Sequence, residues 1–308
     1  MRQKLPATPT ISVIVATRNR RAALQQFLQG ARLLPAEPAW ELIVVDNGSS
    51  DGTDVVLASL SASQLPLMAL EQKRPGKSRA LNLALSHARG EILLFTDDDI
   101  VPERRWLSAL HQAANDYAGA NVFGGRIMVD QEYVPRWVSE SYNLRTILTS
   151  EQDCGDDIQW FGFDRYPVGP NIAVRRRALL NCRCEWPVNL GPGTKIPLGD
   201  ERAFLMGVSA PAARDRLYVP ASIVHHNIGG RELKITRAVS RCFLGGYAAG
   251  LIDKQQRRTA RRSDIELMGN AWQSYRRCAS AAEFICSFAR AAGVIAGAIS
   301  PYPRIVFG

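Results

Sequence analysis

The 308-residue sequence predicts an α/β protein with a doubly wound, mixed sheet and a helical C-terminal extension. Two observations predict the sheet. Segments of strand length alternate with segments of helical spacing over the first hundred residues. The strand segments contain continuous runs of mostly β-branched and other apolar residues, as in parallel strands buried on both faces. The resulting β-α-β-α-β-α-β order requires right-handed crossovers, and the chain is long enough to bury a large core.

The elements follow one another in a regular order. TISVIVAT at 10–17 is the first strand, and RRAALQQFLQGARLL follows with helical spacing. WELIVVDN at 40–47 is the second strand, and SSDGTDVVLASL begins with cap-forming Ser and Asp and continues as a helix. After a shorter strand near LPLMALEQ, the segment GKSRALNLALSHARG is a helix that we expect Gly90 to cap. EILLFTDDD is the next strand.

The composition and motifs narrow the function classes. Hydrophobic residues make up 46% and charged residues 22% of the chain, which argues against wholesale disorder. The turn ATRNRR after the first strand has no glycine for a dinucleotide pyrophosphate, and no segment matches a P-loop. The six cysteines form no CxxC pair, so we expect reduced thiols in the cytoplasm.

Polar residues follow the apolar strands at one edge of the predicted sheet. Thr17, Asp46 and Asp97 all stand at strand ends. Ligands of such sheets collect at the carboxyl ends of the strands. We therefore expect the ligand site there, with hydrogen bonds to a base or ribose and metal-mediated contact with phosphates.

Three consecutive carboxylates, Asp97 to Asp99, end the fourth strand. Each pair repels by about 1 kcal/mol in water and by more in a partly buried site. A divalent cation offsets that repulsion, and carboxylate oxygens suit Mg²⁺ or Mn²⁺. Side chains alternate along an extended segment, so we expect Asp97 and Asp99 to share one side and Asp98 to point away.

The C-terminal part is basic. The formal net charge is +9, and an excess of arginine in the last quarter favours a phosphate-rich partner, a phosphorylated substrate or an anionic membrane surface. In residues 284–300 the apolar residues Phe284, Phe288, Ile295 and Ile299 recur at helical spacing around Arg290. Such a helix either lies on a membrane or docks on the protein core. The clustered arginines are Arg257, Arg258, Arg261, Arg262, Arg276 and Arg277.

Neither a signal peptide nor a spanning helix is predicted. The first ten residues lack the apolar stretch of a signal peptide. No uncharged apolar run reaches the roughly 20 residues that a spanning helix needs. We expect a cytoplasmic protein, peripheral on the inner face of the cell membrane, with no nucleic-acid partner.

Five motifs in order resemble the inverting glycosyltransferases of the GT-A fold, family 2. They are SVIVATRNR, ELIVVDNGSSDGT, GKSRALNLALSHARGEILLFTDDDIVPERRWL, VGPNIAVRR and LGDERAFL. The resemblance runs from about residue 10 to about residue 245. It implies a catalytic domain at residues 1–230, followed by a helical, basic extension at 231–308 that contacts the acceptor or a membrane.

The resemblance assigns roles on the donor side. Asn47 stands where many members carry an aspartate, so the base that is recognised stays open. Arg79 is displaced by one place from the family pattern, which leaves both Lys77 and Arg79 as candidate diphosphate contacts. Asp97 and Asp98 compete for the ribose. The implied nucleotide-sugar contacts are Thr17, Asn19, Asp46, Asn47, Lys77, Arg79, Asp97, Asp98 and Arg231.

The resemblance also assigns the metal and the base. Asp99 corresponds to the metal ligand of the family's DxD motif, and His225 or His226 is a candidate ligand or diphosphate contact. The base is expected from Asp200 and Glu201, whose order is the reverse of the usual Glu-Asp pair. Position favours Glu201.

The implied reaction is metal-dependent, inverting sugar transfer in cell-surface or exopolysaccharide synthesis. The cofactor is Mn²⁺ or Mg²⁺, the donor a UDP-, dTDP- or GDP-sugar, and the acceptor a glycan or a lipid-linked saccharide. Two alternatives remain open. One is a non-catalytic nucleotide- or glycan-binding protein of the same fold. The other is a sugar nucleotidyltransferase, which would need a glycine-rich loop that ATRNRRAAL lacks.

Overall fold

The structure of the chain is a computed structural model. It describes residues 8–60, 65–163, 165–210, 213–228, 233–257, 281–302 and 304–307. The predicted α/β class and helical C-terminal region are confirmed. The strands are β1 (Ile11–Thr17), β2 (Trp40–Asp46), β3 (Leu67–Glu71), β4 (Ile92–Thr96), β5 (Ile100–Pro102), β6 (Val122–Val129), β7 (Gln159–Trp160), β8 (Ile172–Arg175) and β9 (Arg216–His226).

These strands form one mixed sheet in the order β3-β2-β1-β4-β8-β6-β9-β5, with β7 paired to β9. The first four strands are parallel, with β1 between β2 and β4. From β8 onward the sheet becomes mixed, because β8 runs antiparallel to both β4 and β6 while β9 runs parallel to β6. The ends of β1, β2 and β4 therefore meet at one edge.

Helices cover both faces of the sheet. Val13 and Val15 of β1 pack into one apolar cluster, and Ile14 between them packs into the other. This alternation explains why apolar residues occur on both faces of the strand. The helices are α1 (Arg21–Ala31), α2 (Thr53–Ala58), α3 (Lys77–His87), α4 (Trp106–Asp116), α5 (Arg136–Ser139), α6 (Tyr142–Thr149), α7 (Arg176–Cys182), α8 (Asp200–Val208), α9 (Ile235–Arg257) and α10 (Ala281–Ile299).

The expected capping role of Gly90 is wrong. Helix α3 ends at His87, and Ala88 already has extended backbone. A Cβ on Gly90 would lie 2.5 Å from the Ser12 backbone nitrogen, and the Gly90 N–H donates to Ser12 Oγ at 2.8 Å. Glycine is required here because the chain entering β4 passes directly against β1.

The two C-terminal helices pack against each other through glycines. A Cβ on Gly246 or Gly250 of α9 would lie 2.1 Å or 2.2 Å from a backbone oxygen of α10. A Cβ on Gly293 or Gly297 of α10 would lie 2.0 Å or 2.1 Å from a backbone oxygen of α9. The two backbones therefore touch without intervening side chains, as in helix pairs built on small residues.

The apolar residues that predicted a docking face on α10 are exposed. Phe284, Phe288, Ile295 and Ile299 have exposed fractions of 39%, 65%, 47% and 77%. The glycine face docks on α9 instead. Within the described residues, α10 is the one helix that meets length and hydropathy criteria for a membrane span, a test that core helices also pass.

Replacing Gly293 with alanine should destabilise the protein. The new methyl group would collide with the Phe243 carbonyl oxygen, and overpacking of this kind costs about 1–3 kcal/mol. Urea unfolding of Gly293→Ala should therefore show a lower midpoint than the wild type. Gly119→Ala is the matched control, because a Cβ there meets nothing within 4 Å. Equal midpoints for the two variants would contradict the close helix contact.

Candidate functional site

A cavity of about 830 Å³ opens at the sheet edge where β1 and β4 end. Thr17 and the three aspartates reach it from the sheet, Lys77 reaches it from the first turn of α3, and His226 reaches it from the end of β9. Asp200 and Glu201 line it from the first turn of α8. The topology thus collects residues that are far apart in the sequence around one space.

Asp98 points into the protein, although Asp98 and Asp99 lie in a turn after β4 and not in the extended segment that the sequence predicted. It is 2% exposed and accepts a hydrogen bond from Thr17 Oγ1 at 2.6 Å. Its other oxygen lies 3.1 Å from an Arg20 guanidinium nitrogen. Burial raises the pKa of Asp98 to about 6 despite these contacts. Both carboxylate oxygens are engaged within the protein.

Asp97, Asp99 and His226 form a cluster whose candidate ligand atoms all lie within 4.8 Å of one another. The pairing of β5 with β9 creates it, because Ile100, which follows Asp99, is opposite His226. His226 Nε2 lies 3.4 Å from Asp99 Oδ1. Two carboxylates and an imidazole are a donor set that can hold a divalent cation.

Two details fit this cluster to a metal. Asp99 Oδ1 is buried and accepts no hydrogen bond from the described residues. His226 Nδ1 hydrogen-bonds the Thr149 carbonyl oxygen at 2.7 Å, which leaves Nε2 directed toward Asp99 as a ligand atom. Burial opposes ionisation of Asp99, but His226 and Arg20 outweigh it and hold its pKa below the ordinary value. Asp99 is therefore ionised and available.

His225 lies apart from this cluster. Its Nε2 is 3.0 Å from Glu103 Oε1, and its side chain is 52% exposed. Adjacent residues of a strand point to opposite faces, so β9 can bring only one of the two histidines to the aspartates. Of the pair that the sequence left open, the structure brings His226 to the site.

Arg20 is a site residue that the sequence interpretation missed. One of its nitrogens lies 2.6 Å from Asp99 Oδ2 and another 3.1 Å from Asp98 Oδ1, so it bridges the two carboxylates. The available signal was the basic segment RNRR, which follows β1 at the same edge as the aspartates.

Lys77 donates to Asp97 Oδ1 at 2.5 Å. Burial disfavours its charge, but Asp97, Glu201 and Asp200 outweigh burial and raise its pKa. Lys77 therefore remains a cation. Arg79 lies outside the residues that line the cavity, and its side chain packs beside Gly76.

The remaining donor-side residues shape the edge of the site. Asn47 Nδ2 donates to the carbonyls of Gln72 and Arg74, and its Oδ1 accepts from Gly76 N–H, each at 2.8 Å. Aspartate could not make the two donations. Asp46 accepts from Ser49 N–H at 2.9 Å, outside the cavity lining.

Two other predicted contacts lie elsewhere. Asn19, in left-handed conformation with φ 52°, accepts from Ser50 N–H at 2.8 Å and is exposed. It is not among the residues lining the cavity. Arg231 lies outside the described residues.

Asp200 and Glu201 differ in their surroundings. Asp200 is 4% exposed and packs against Gly191, where a Cβ would lie 2.4 Å from Oδ2. Glu201 Oε2 accepts the Gly169 N–H at 3.0 Å. Burial, followed by the charge of Asp200, raises the pKa of Glu201 to about 7. A carboxylate with this pKa can exchange a proton near neutral pH.

Comparison with known proteins identifies the family. The sequence model of Glycosyl transferase family 2 matches residues 12–181, which is more than half of the chain. The chain belongs to this family.

Two glycosyltransferases illustrate the similarity to known sequences. The chain is 31% identical over 121 residues to Glycosyltransferase AglE of Haloferax volcanii, covering 37% of this chain and 40% of the relative. It is 33% identical over 118 residues to the GalNAc(5)-diNAcBac-PP-undecaprenol beta-1,3-glucosyltransferase of Campylobacter jejuni, covering 38% of each. The chain thus spans about two fifths of the length of these relatives.

Solved structures support the fold of this family 2 chain. The mannosyltransferase PcManGT from Pyrobaculum calidifontis has a TM-score of 0.60 and 21% identity, covering 96% of this chain and 77% of that one. Residues 1–349 of TarS from S. aureus give a TM-score of 0.52 and 16% identity, covering 93% and 89%. The predicted GT-A architecture is thereby confirmed.

Proposed function

We propose that this chain is a metal-dependent inverting glycosyltransferase that moves a sugar from a nucleoside-diphosphate sugar to a glycan or lipid-linked saccharide. One observation carries the proposal. The cluster of Asp97, Asp99 and His226 and the carboxylate of Glu201 line the same cavity. The cluster is suited to holding a metal that binds the leaving diphosphate, and Glu201 is suited to taking the acceptor's hydroxyl proton. Inverting transfer needs both functions.

The metal is the first requirement. Asp97, Asp99 and His226 would hold Mn²⁺ or Mg²⁺, which stabilises the negative charge that develops on the leaving diphosphate. The structure of the Pyrobaculum mannosyltransferase is a complex with GDP-Man and Mn²⁺, which supports this assignment. The cations Lys77 and Arg20 flank the cluster and would bind phosphate oxygens.

The donor is a UDP-, GDP- or dTDP-sugar. One TarS structure contains UDP-GlcNAc and the mannosyltransferase contains GDP-Man, so both bases occur among proteins of this fold. A hydrolysis screen of the three donor classes with Mn²⁺ identifies base and sugar together. If none of the three donor classes is hydrolysed while nucleotides still bind, the result would favour a non-catalytic binding protein instead.

Glu201 is the proposed base. As the acceptor oxygen forms its bond to the sugar C1, Glu201 takes the hydroxyl proton. The C1–O bond to the diphosphate breaks, and its electron pair leaves with the nucleoside diphosphate. Asp200, enclosed by Gly191 and close enough to Lys77 for their charges to interact, would position this end of α8.

Removal of one metal ligand should uncouple nucleotide binding from the metal. We expect Asp99→Ala to weaken Mn²⁺-dependent binding of the cognate nucleoside diphosphate by about 10- to 100-fold in calorimetry. The matched control is Asp54→Ala, at an exposed aspartate in the first turn of α2. Equal affinity in EDTA and Mn²⁺ for the wild type would contradict the metal assignment.

Replacement of the base should slow transfer without abolishing donor binding. We expect Glu201→Gln to lower kcat by about 10² to 10⁴-fold with the nucleotide Kd nearly unchanged. The wild-type rate should rise with pH through about 7, because Glu201 accepts a proton only when ionised and its pKa is raised to about 7. A larger loss in Asp200→Asn than in Glu201→Gln would assign the base to Asp200.

We also propose that the protein is cytoplasmic and peripheral on an anionic membrane. The exposed apolar face of α10 would enter the interface, as amphipathic helices do. Segment 258–280, which joins α9 to α10, carries Arg258, Arg261, Arg262, Arg276 and Arg277 in its sequence. Apolar and basic character thus adjoin along the chain, and residues 231–308 would form a membrane-contact extension of the catalytic domain.

Membrane binding is tested by co-sedimentation with vesicles. We expect binding to vesicles rich in phosphatidylglycerol at low salt and little binding to phosphatidylcholine alone. Phe288→Ser should reduce it severalfold, whereas Leu33→Ser, at an exposed leucine just beyond α1, should not. Loss of self-association in Phe288→Ser without any change in vesicle binding would assign the apolar face to a second copy of the chain.

A further inference from the structure

A second cavity, of about 580 Å³, lies on the other side of Glu201. Its walls come from α6, the segment before the Gly169 turn, the start of α8, and the paired helices α9 and α10. Glu201 lines both cavities, whereas Asp200 lines only the first among the residues described. One carboxylate oxygen of Glu201 is fixed by the Gly169 N–H. Glu201, the proposed base, therefore borders both the donor-side cavity and this second cavity.

Three carboxylates of this second cavity are already engaged within the protein. Glu201 accepts from Gly169, and Glu283 accepts from Ser141 Oγ at 2.7 Å. Asp253 Oδ1 lies 3.6 Å from an Arg202 guanidinium nitrogen. Each of these three carboxylates thus has a hydrogen-bond or ion-pair partner within the protein.

Two arginines of the same wall lack an ion-pair partner among the described carboxylates. Arg165 and Arg290 line the cavity, and no carboxylate in the described parts of the chain forms an ion pair with either. Both arginines are exposed, so a ligand can reach them from solvent. Two guanidinium groups without a carboxylate partner on the wall of one cavity give that wall positive charge, which favours an anion. The same wall contains apolar residues, among them Leu144, Phe161, Ala249 and Val294.

We propose that the second cavity is the acceptor site and that it takes an acceptor carrying an anionic group, a phosphate or a carboxylate, bound by Arg165 and Arg290. The inference rests on the proposed function, because it places the acceptor hydroxyl beside Glu201. A guanidinium binds either anion through paired hydrogen bonds. The anionic group would fix which hydroxyl reaches the base, so the arginines determine specificity while Glu201 takes the proton.

The first arm measures binding to the full-length protein without donor. Probes are glucose 6-phosphate, glucuronic acid and glucose, observed by ligand-detected NMR. We expect the two anionic sugars to bind and glucose to bind at least tenfold more weakly. Arg290→Gln and Arg165→Gln should each weaken anionic binding about tenfold, and Arg290→Lys should restore part of it. Arg104→Gln, at an exposed arginine outside the cavity, is the matched control.

The second arm measures transfer with the donor identified by the hydrolysis screen. Acceptors are neutral oligosaccharides, uronic-acid oligosaccharides, and a polyprenyl-diphosphate-linked sugar in detergent micelles. We expect anionic acceptors to be preferred and their KM to rise about tenfold in Arg290→Gln. Preference for the lipid-linked acceptor identifies the anion as a lipid phosphate, and preference for the uronic acid identifies an acidic glycan.

The two proposals fail in different ways. Neutral and anionic acceptors used equally, with no effect of either arginine variant, would overturn the anion site and leave the glycosyltransferase intact. Anionic sugars that bind in an Arg290-dependent manner, together with no donor hydrolysis or transfer, would overturn the glycosyltransferase and support an anion site of a binding protein. Misfolding of a glutamine variant is recognised by its unfolding midpoint, and the lysine variant then serves in its place.

Discussion

The arrangement of the candidate site depends on how the protein offsets the repulsion among three consecutive carboxylates that follow a buried strand. Each aspartate has at least one partner from outside β4. Lys77 pairs with Asp97, and Thr17 and Arg20 contact Asp98. Arg20 also pairs with Asp99, which lies beside His226. These partners come from β1, the turn after it, α3 and β9. The sheet order places β1 directly beside β4, and β5 pairs with β9, so the fold brings the compensating groups to the aspartates.

Much of this could be predicted from the sequence because the relevant signals are local. Apolar runs predicted strands buried on both faces. The predicted separation of Asp98 from Asp97 and Asp99 arises in a turn after β4, not from alternation along a strand. The side chains that contact the aspartates were harder to predict. Arg20 lies in a turn whose conformation no spacing rule fixes, and the choice between His225 and His226 depends on the register of β5 against β9. Gly90 was misassigned because a close approach between strands and a helix cap both favour glycine.

The second cavity was beyond sequence reasoning for a different reason. Its walls combine residues from 142 to 294, and its charge balance depends on which carboxylates already have partners. Arg165 belongs to no motif, and Arg290 stands out in the sequence only as a charge within an apolar helical segment. Whether an arginine is available for a ligand is a property of packing, and packing between distant segments is what the sequence pattern leaves undetermined.

The glycine contact between α9 and α10 has a consequence for how related sequences diverge. At Gly246, Gly250, Gly293 and Gly297 any side chain would meet backbone, which cannot move aside as a side chain can. Phe288 and Ile299 on the outer side of α10 are mostly exposed, so other apolar residues can replace them without a clash. Over long evolutionary times this part of the chain should therefore keep its glycines while its large residues change, which is the reverse of the usual rule for a packed core.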